Sequence, residues 1–334
     1  MNNKPQGRRL ATAVIFSALI LLAVLAVTPL IGSSRIDYSL AFAGVSPHHE
    51  ILFYARLPRV LLASLAGGAL AVSGVLFQAL LRDALATPYT LGVSGGAALG
   101  AVVAICFGWR QVGNMPAIWA AAFAGAGITL LIVLAVAAEG RRMSSFTLLL
   151  AGITIHSICL ALILFLQNMS NFGQSFAIVR WLMGNIDSVE YSTIAYLAAA
   201  VIPTSIFVFL KGREWNLLAV GEDWATARGV SLTRVLLAGF LAGSFLTGSV
   251  TALTGPIGFV GLIVPHALRL RFGADHRLLI PCSFLLGAAF LTICDTLSRI
   301  VLAPSEVPVG VITALLGGPT FIWLLRSKRR SLWL

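Results

Sequence analysis

Asp295 and Arg299 stand one helical turn apart inside an apolar run, where a charged pair either neutralises itself or serves a solute. Residue types alone leave both readings open. His156 and His266 are the other ionisable side chains in strongly apolar surroundings. His156 can ligate a metal or touch a substrate but better suits packing, and His266, after Pro265, better suits a capping or interfacial role than ligation. Scattered in this way, the four residues do not make the relay of carboxylates and histidines that proton-coupled transport uses. Cys106, Cys159, Cys282 and Cys294 occur singly with no CxxC pair, so no zinc site, other metal site or disulfide framework is expected. There is no GxxxxGK[ST] phosphate loop, no HExxH and no GxSxG. The chain is therefore not expected to be an enzyme or to hold a cofactor, and energy for any transport must come from another polypeptide.

The elements that must position these groups are membrane spans. Of 334 residues, 58% are apolar and 10% charged, and the mean hydropathy of +0.95 lies far outside the range of soluble domains. An all-α polytopic protein, forming a single transmembrane domain over residues 1–334, is expected. A net charge of +11 would suggest nucleic acid in a soluble protein; here loop asymmetry explains it, and no nucleic-acid partner is expected. The first apolar run, residues 10–31, is too long for the core of a cleavable signal peptide. With about 20 residues needed per crossing, candidate spans cover residues 10–32, 57–81, 91–108, 116–138, 145–167, 191–210, 233–253, 257–270, 278–301 and 308–325. Ten spans place both termini on one side. If that side is the cytoplasm, only Arg35, Arg56, Arg59, Arg110, Arg180 and Arg299 of the 23 Lys and Arg residues lie outside, as the positive-inside rule requires. Gly92, Gly96 and Gly100, with Gly95 beside them, and Gly67, Gly68 and Gly74 in the second span, predict close helix packing.

Two surfaces stand out on this plan. Residues 211–234, KGREWNLLAVGEDWATARGVSLTR, form a charged cytoplasmic interruption between spans six and seven. Leu217, Val220, Trp224 and Ala227 fall at helical spacing, and Gly221 is expected to divide the segment into two short helices. The segment reads either as a solvated loop or as a docking surface. Trp215 and Trp224 favour docking, because aromatic side chains are enriched where partners bind. On the outside, Arg56 and Arg59 bracket Pro58 at the mouth of span two, and Arg299 lies near the outer end of span nine. They read either as snorkelling side chains or as a basic patch for carboxylates on a soluble partner.

Six stretches in order resemble the permease subunits of bacterial ABC importers for iron chelates, haem and cobalamin. They are RLPRVLLASLAGGALAVSG (56–74), ALATPYTLGVSGGAALG (84–100), WLMG (181–184), LLAVGEDWATARG (217–229), GPIGFVGLIVPH (255–266) and residues 295–325, which include EVPVGVITALLGGPTFIWLL. The resemblance implies a ten-span subunit of the bacterial inner membrane that pairs with a second copy of itself. It also implies two cytoplasmic ATPase subunits, a periplasmic substrate-binding protein and a bulky metal-chelate substrate.

By the same resemblance, coupling to the ATPase falls to Leu217, Leu218, Gly221, Glu222, Asp223, Trp224, Ala227 and Gly229. Docking of the binding protein falls to Arg56, Arg59 and Arg299, which favours the patch over snorkelling. A cytoplasmic gate falls to the loop between spans two and three, with span five: Asp83, Ala84, Leu85, Thr87 and Pro88. This loop departs from the family's Asn-Pro-Leu-Ala-Asp-Pro pattern at Asp83, Ala84 and Thr87, which leaves the gate's place intact and its chemistry open. The rival reading is a proton-coupled secondary transporter of a small solute, which would show inverted repeats and paired intramembrane ions.

Overall fold

The computed structural model describes residues 6–112, 115–137 and 144–327. Lys4, Arg141, Arg142, Lys328, Arg329 and Arg330 of the orientation argument lie outside the described residues. The described chain is dominated by helices, the conformation that satisfies every backbone amide within its own segment when no water is at hand.

Helix α1 (Gln6–Val27) runs along one edge. Two short helices, α2 (Tyr38–Phe42) and α3 (His48–Glu50), lead through a π-helical stretch, Ile51–Arg56, into α4 (Leu57–Leu81). A 3-10 turn, Pro88–Leu91, opens α5 (Val93–Cys106), and a small hairpin, β1 (Gln111–Val112) with β2 (Met115–Pro116), joins α5 to α6 (Ala117–Ala137). Next come α7 (Ser145–Met169), α8 (Phe172–Leu182) and α9 (Tyr191–Leu210). The short pair α10 (Gly212–Val220) and α11 (Glu222–Ala227) follows. The chain then continues through α12 (Leu232–Thr254), α13 (Val260–Phe272), α14 (His276–Ile300) and α15 (Val309–Ser327).

Every predicted span falls on one of these helices. Seven stretches among the described residues are long and apolar enough to cross a membrane. Helix α5, with 14 residues, α13, with 13, and the stretch Val309–Ile322 are shorter. Helix α8 was not anticipated. Its signal is local: Asn171 and Gln174 form a capping box in which each side-chain oxygen accepts from the other's backbone N–H.

Helix α4 is the hub, because its small residues let neighbours come close on several sides. The most apolar window of the stretch containing it is 83% buried, against 11% for α1. A Cβ added at Gly74 would fall 1.9 Å from the Gly261 carbonyl oxygen of α13, and one at Gly67 would fall 2.2 Å from the Gly287 carbonyl oxygen of α14. The glycine steps of α5 do the same against α6: a Cβ at Gly100 would lie 2.1 Å from the Ala121 carbonyl oxygen. Phe77 of α4 packs edge-on against Phe240 of α12, centroids 6.0 Å apart, at the centre of the largest apolar core. This rigid frame holds two polar constellations at opposite ends of α4.

Candidate functional site

One constellation surrounds the division between α10 and α11, which Gly221 separates as expected. Helix α10 is anchored. Trp215 is fully buried and its indole N–H donates to the Val208 carbonyl in α9 at 2.8 Å, while Leu218 is also fully buried. Asn216 donates to Asp275 Oδ1 at 2.8 Å and accepts from the His276 amide at 2.8 Å, tying α10 to the start of α14. Partial burial pushes the Asp275 carboxyl up, but hydrogen bonds from Asn216 and the Arg277 amide outweigh it and hold the group below the usual carboxylate range. The inward turn of Trp215 and Leu218 corrects the expectation that both tryptophans, and Leu218, face a partner. An indole whose N–H is satisfied by a backbone carbonyl in the core has nothing left to offer one.

Helix α11 presents what remains. Trp224 is 61% exposed and Val220, just before Gly221, is 71% exposed. Asp223 and Ala227 are exposed beside them and Leu217 is half-buried. An apolar pair this open, rimmed by charge, is an interaction surface in form. The helix ends cleanly because Gly229 takes a left-handed φ of +81°, available to glycine at little cost.

Glu222 does not face outward with its neighbours. Its Oε1 accepts from Arg82 Nη2 at 3.0 Å and from Ser145 Oγ at 2.9 Å. Arg82 ends α4 in a left-handed conformation, φ +51°, a rare state for a side chain of this kind. Ser145 is the first residue of α7, so the carboxylate also sits at the positive end of that helix.

The predicted gate loop joins α4 to α5 beside this contact. Asp83 Oδ1 accepts from the Leu85 amide at 2.8 Å, an Asx turn that either Asp or Asn can make, so this departure from the family pattern is conservative in geometry. Leu85 is 50% exposed, Ala84 and Thr87 are half-buried, and Pro88 is buried at the start of the 3-10 turn. The loop's far end is pressed against α7: a Cβ at Gly152 would fall 2.7 Å from the Leu91 Cα.

The second constellation lies at the other end of α4. The sequence-predicted arginines do converge there, but not as an open patch: Arg56, Arg59 and Arg299 are 5%, 8% and 4% exposed. Arg59 Nε meets Asp295 Oδ1 at 2.9 Å and its Nη1 meets Glu306 at 2.8 Å; Arg299 Nε meets Asp295 Oδ2 at 3.3 Å. Arg56 donates to the carbonyls of Pro29 (3.3 Å) and Ser34, and Arg299 to that of Ile31 (3.2 Å). The physical reason is charge compensation in apolar surroundings. Asp295 thus neutralises Arg299, as one of the two initial readings held, and shares Arg59 as well. Glu306 was not anticipated as a partner. Its signal is its position in the short loop between α14, which carries Asp295 and Arg299, and α15.

Between α8 and this loop lies a pocket of about 490 Å³, lined among others by Phe176, Arg180, Met183, Asn185 and Glu306. His156 packs toward Gly95 of α5, where an added Cβ would meet its Nδ1 at 2.5 Å. His266 packs against Phe321, ring centroids 5.8 Å apart.

The arrangement can be compared with known proteins. The model of the FecCD transport family matches residues 15–327. The chain is 40% identical over 278 residues to the hemin transport system permease protein HmuU of Yersinia pestis, covering 83% of each chain. It is 40% identical over 289 residues to the vitamin B12 import system permease protein BtuC of Escherichia coli O9:H4, covering 85% of this chain and 86% of that one. Among solved structures, a metal-chelate type ABC transporter in an inward-facing conformation superimposes with a TM-score of 0.85 at 28% identity, covering 95% of this chain and 99% of that one. PsaBC from Streptococcus pneumoniae, at 15% identity and a TM-score of 0.52, shares the fold alone.

Proposed function

The chain belongs to the FecCD transport family, and from that premise we propose that it is the membrane-spanning half-channel of a binding-protein-dependent importer for haem, cobalamin or a ferric chelate. A second copy completes the pathway, and two separate ATPase subunits drive it. Its relatives include permeases named for hemin and for vitamin B12; an iron chelate is the substrate class we favour. Insertion in the bacterial inner membrane is taken from the family, and the distribution of loop charges supports placing both termini in the cytoplasm.

The observation that carries this reading is the open apolar pair Val220 and Trp224 on a two-helix element whose other side is anchored to the bundle. A solvated connector has no use for such a surface, whereas a groove on an ATPase does. Trp224 fills that groove, ATP-driven closure of the two ATPases moves α11, and the gate loop between α4 and α5 changes access. Trp224→Glu is expected to remove the ATPase from tagged protein purified in mild detergent, because a charged rim placed in an apolar anchor site costs about 2–4 kcal/mol of binding. An ATPase that stays bound to the variant would retire Trp224 as the anchor. Absence of any ATPase from the unsubstituted protein would reopen proton-coupled transport, which uptake in the presence of an uncoupler would then test.

Docking of the binding protein belongs to the end of the molecule that carries Arg56, Arg59 and Arg299. Glu306, whose side chain is 39% exposed, is the exchangeable partner through which carboxylates of a docking protein reach Arg59. Glu306→Gln is expected to speed association by about tenfold at low salt, and to steepen its salt dependence. An unchanged association rate by surface plasmon resonance would remove Arg59 from the docking surface.

A further inference from the structure

The two helices of the cytoplasmic element are fastened to different parts of the molecule. Helix α10 is held to α9 by Trp215 and to α14 by Asn216, so it moves with the bundle. Helix α11 has its polar attachment at Glu222 alone among the described residues, and that attachment reaches neither α9 nor α14. A single carboxylate oxygen of Glu222 takes one hydrogen bond from Arg82 at the end of α4 and one from Ser145 at the start of α7. These two residues flank the gate: Arg82 immediately precedes the loop, and α7 is the helix against which the loop's far end is pressed.

We propose that Glu222 is the positioning residue through which movement of α11 reaches the gate, and that Arg82 and Ser145 are its receivers. The proposal rests on the importer reading and deepens it: the reading says that the element moves, and the contact says which two parts it drags. The chemistry suits a switch. Arg82 and Glu222 are partly solvated, their side chains 42% and 23% exposed, so the pair can separate and re-form without stranding a buried charge. The left-handed backbone of Arg82 aims its guanidinium back across the end of α4 toward α11. Withdrawal of the carboxylate releases Arg82 and the first turn of α7 together, since one oxygen holds both. A rigid rod would need no such shared acceptor; a two-state latch does.

The test reads the gate directly and needs no substrate. In the complex purified with its own ATPase and reconstituted in liposomes, with Cys106, Cys159, Cys282 and Cys294 replaced by Ala and labelling read on this subunit alone, Leu85→Cys reports access to a water-soluble maleimide, in the presence and absence of ATP with vanadate. On the Leu85→Cys protein, trapping is expected to change the labelling rate about tenfold, the size of a shift of the accessible state between about a tenth and nearly all of the population. Adding Arg82→Glu should reduce the change to less than about twofold while ATP hydrolysis continues, because repulsion replaces the latch. The swap Arg82→Glu with Glu222→Arg should restore most of it, which a merely structural role for Arg82 would not allow. Persistence of the tenfold change in Arg82→Glu, or failure of the swap to restore it in a complex that retains its ATPase, would overturn the proposal. A complex that contains no ATPase even without substitutions would overturn the importer reading, and this one with it.

Discussion

Asp295→Ala is expected to destabilise the protein by about 3–5 kcal/mol, the cost of leaving buried charge unpaired. Asp295 is fully buried and is the shared acceptor of Arg59 and Arg299. Without it, among the described residues, Arg299 keeps the Ile31 carbonyl and the Thr296 hydroxyl, and Arg59 keeps Glu306. Asp295→Asn, which preserves shape and one acceptor, should lose less. The double variant Asp295→Leu, Arg299→Met should recover part of the loss, because an apolar pair replaces a broken ionic one. Thermal inactivation followed by size-exclusion fluorescence in detergent measures all three. Equal stability of Asp295→Ala and the parent would mean that water reaches the cluster.

This expectation also governs how docking is tested. Arg59→Glu would set a third carboxylate beside Asp295 and Glu306, so it should fail by unfolding before any partner is offered. Loss of uptake in that variant would say nothing about a binding protein. Glu306, half-exposed, is the position at which the question can be asked cleanly.

Gly74→Val should prevent accumulation of folded protein. Its Cβ would lie 1.9, 2.5 and 2.6 Å from the carbonyl oxygen, carbon and Cα of Gly261, all backbone atoms of α13. The same Gly261 carbonyl accepts from Gln78 Nε2 at 3.1 Å, so moving α13 also strips a buried amide of its partner. Overpacking ordinarily costs about 1–3 kcal/mol when side chains can yield; here the obstacle is main chain, and the cost should reach or exceed the upper end. Gly127→Ala in α6 is the control, since an added Cβ there meets nothing within 4 Å. Near-normal amounts of Gly74→Val in membranes, with a normal elution profile, would show that α4 and α13 can part.

The helices were legible from composition because a membrane protein writes them in long apolar runs, and the hub was legible because glycines recur in α4 and α5. The division at Gly221 was equally plain. Burial was not. Trp215 and Trp224 lie nine residues apart in one charged segment, yet one closes the core and the other faces outward; only the tether to Val208 distinguishes them, and it depends on where α9 ends. The arginines at this end of α4 were correctly brought together by topology and wrongly left open: the Asp295–Arg299 pair is local, but Asp295 and Glu306 reach Arg59 from elements more than two hundred residues away, and that is not legible in a local pattern. The Glu222 contact was invisible for the same reason: Arg82, Ser145 and Glu222 share no local pattern.

Helix α1 carries a consequence for how the protein is made. It leans on α14, and Arg299 of that helix also holds the Ile31 carbonyl just beyond α1. Helix α14 begins roughly 250 residues after α1 ends, so at about 5–20 residues per second the ribosome takes on the order of 10–50 s to supply the neighbour. Through that interval α1 must remain in lipid unaccompanied. Its apolar run, Leu10–Leu30, is the most strongly apolar of the seven candidate spans and is what permits the wait, and polar substitutions on its exposed face at Phe16, Leu19 or Leu22 would be felt at the translocon before the folded protein exists to feel them.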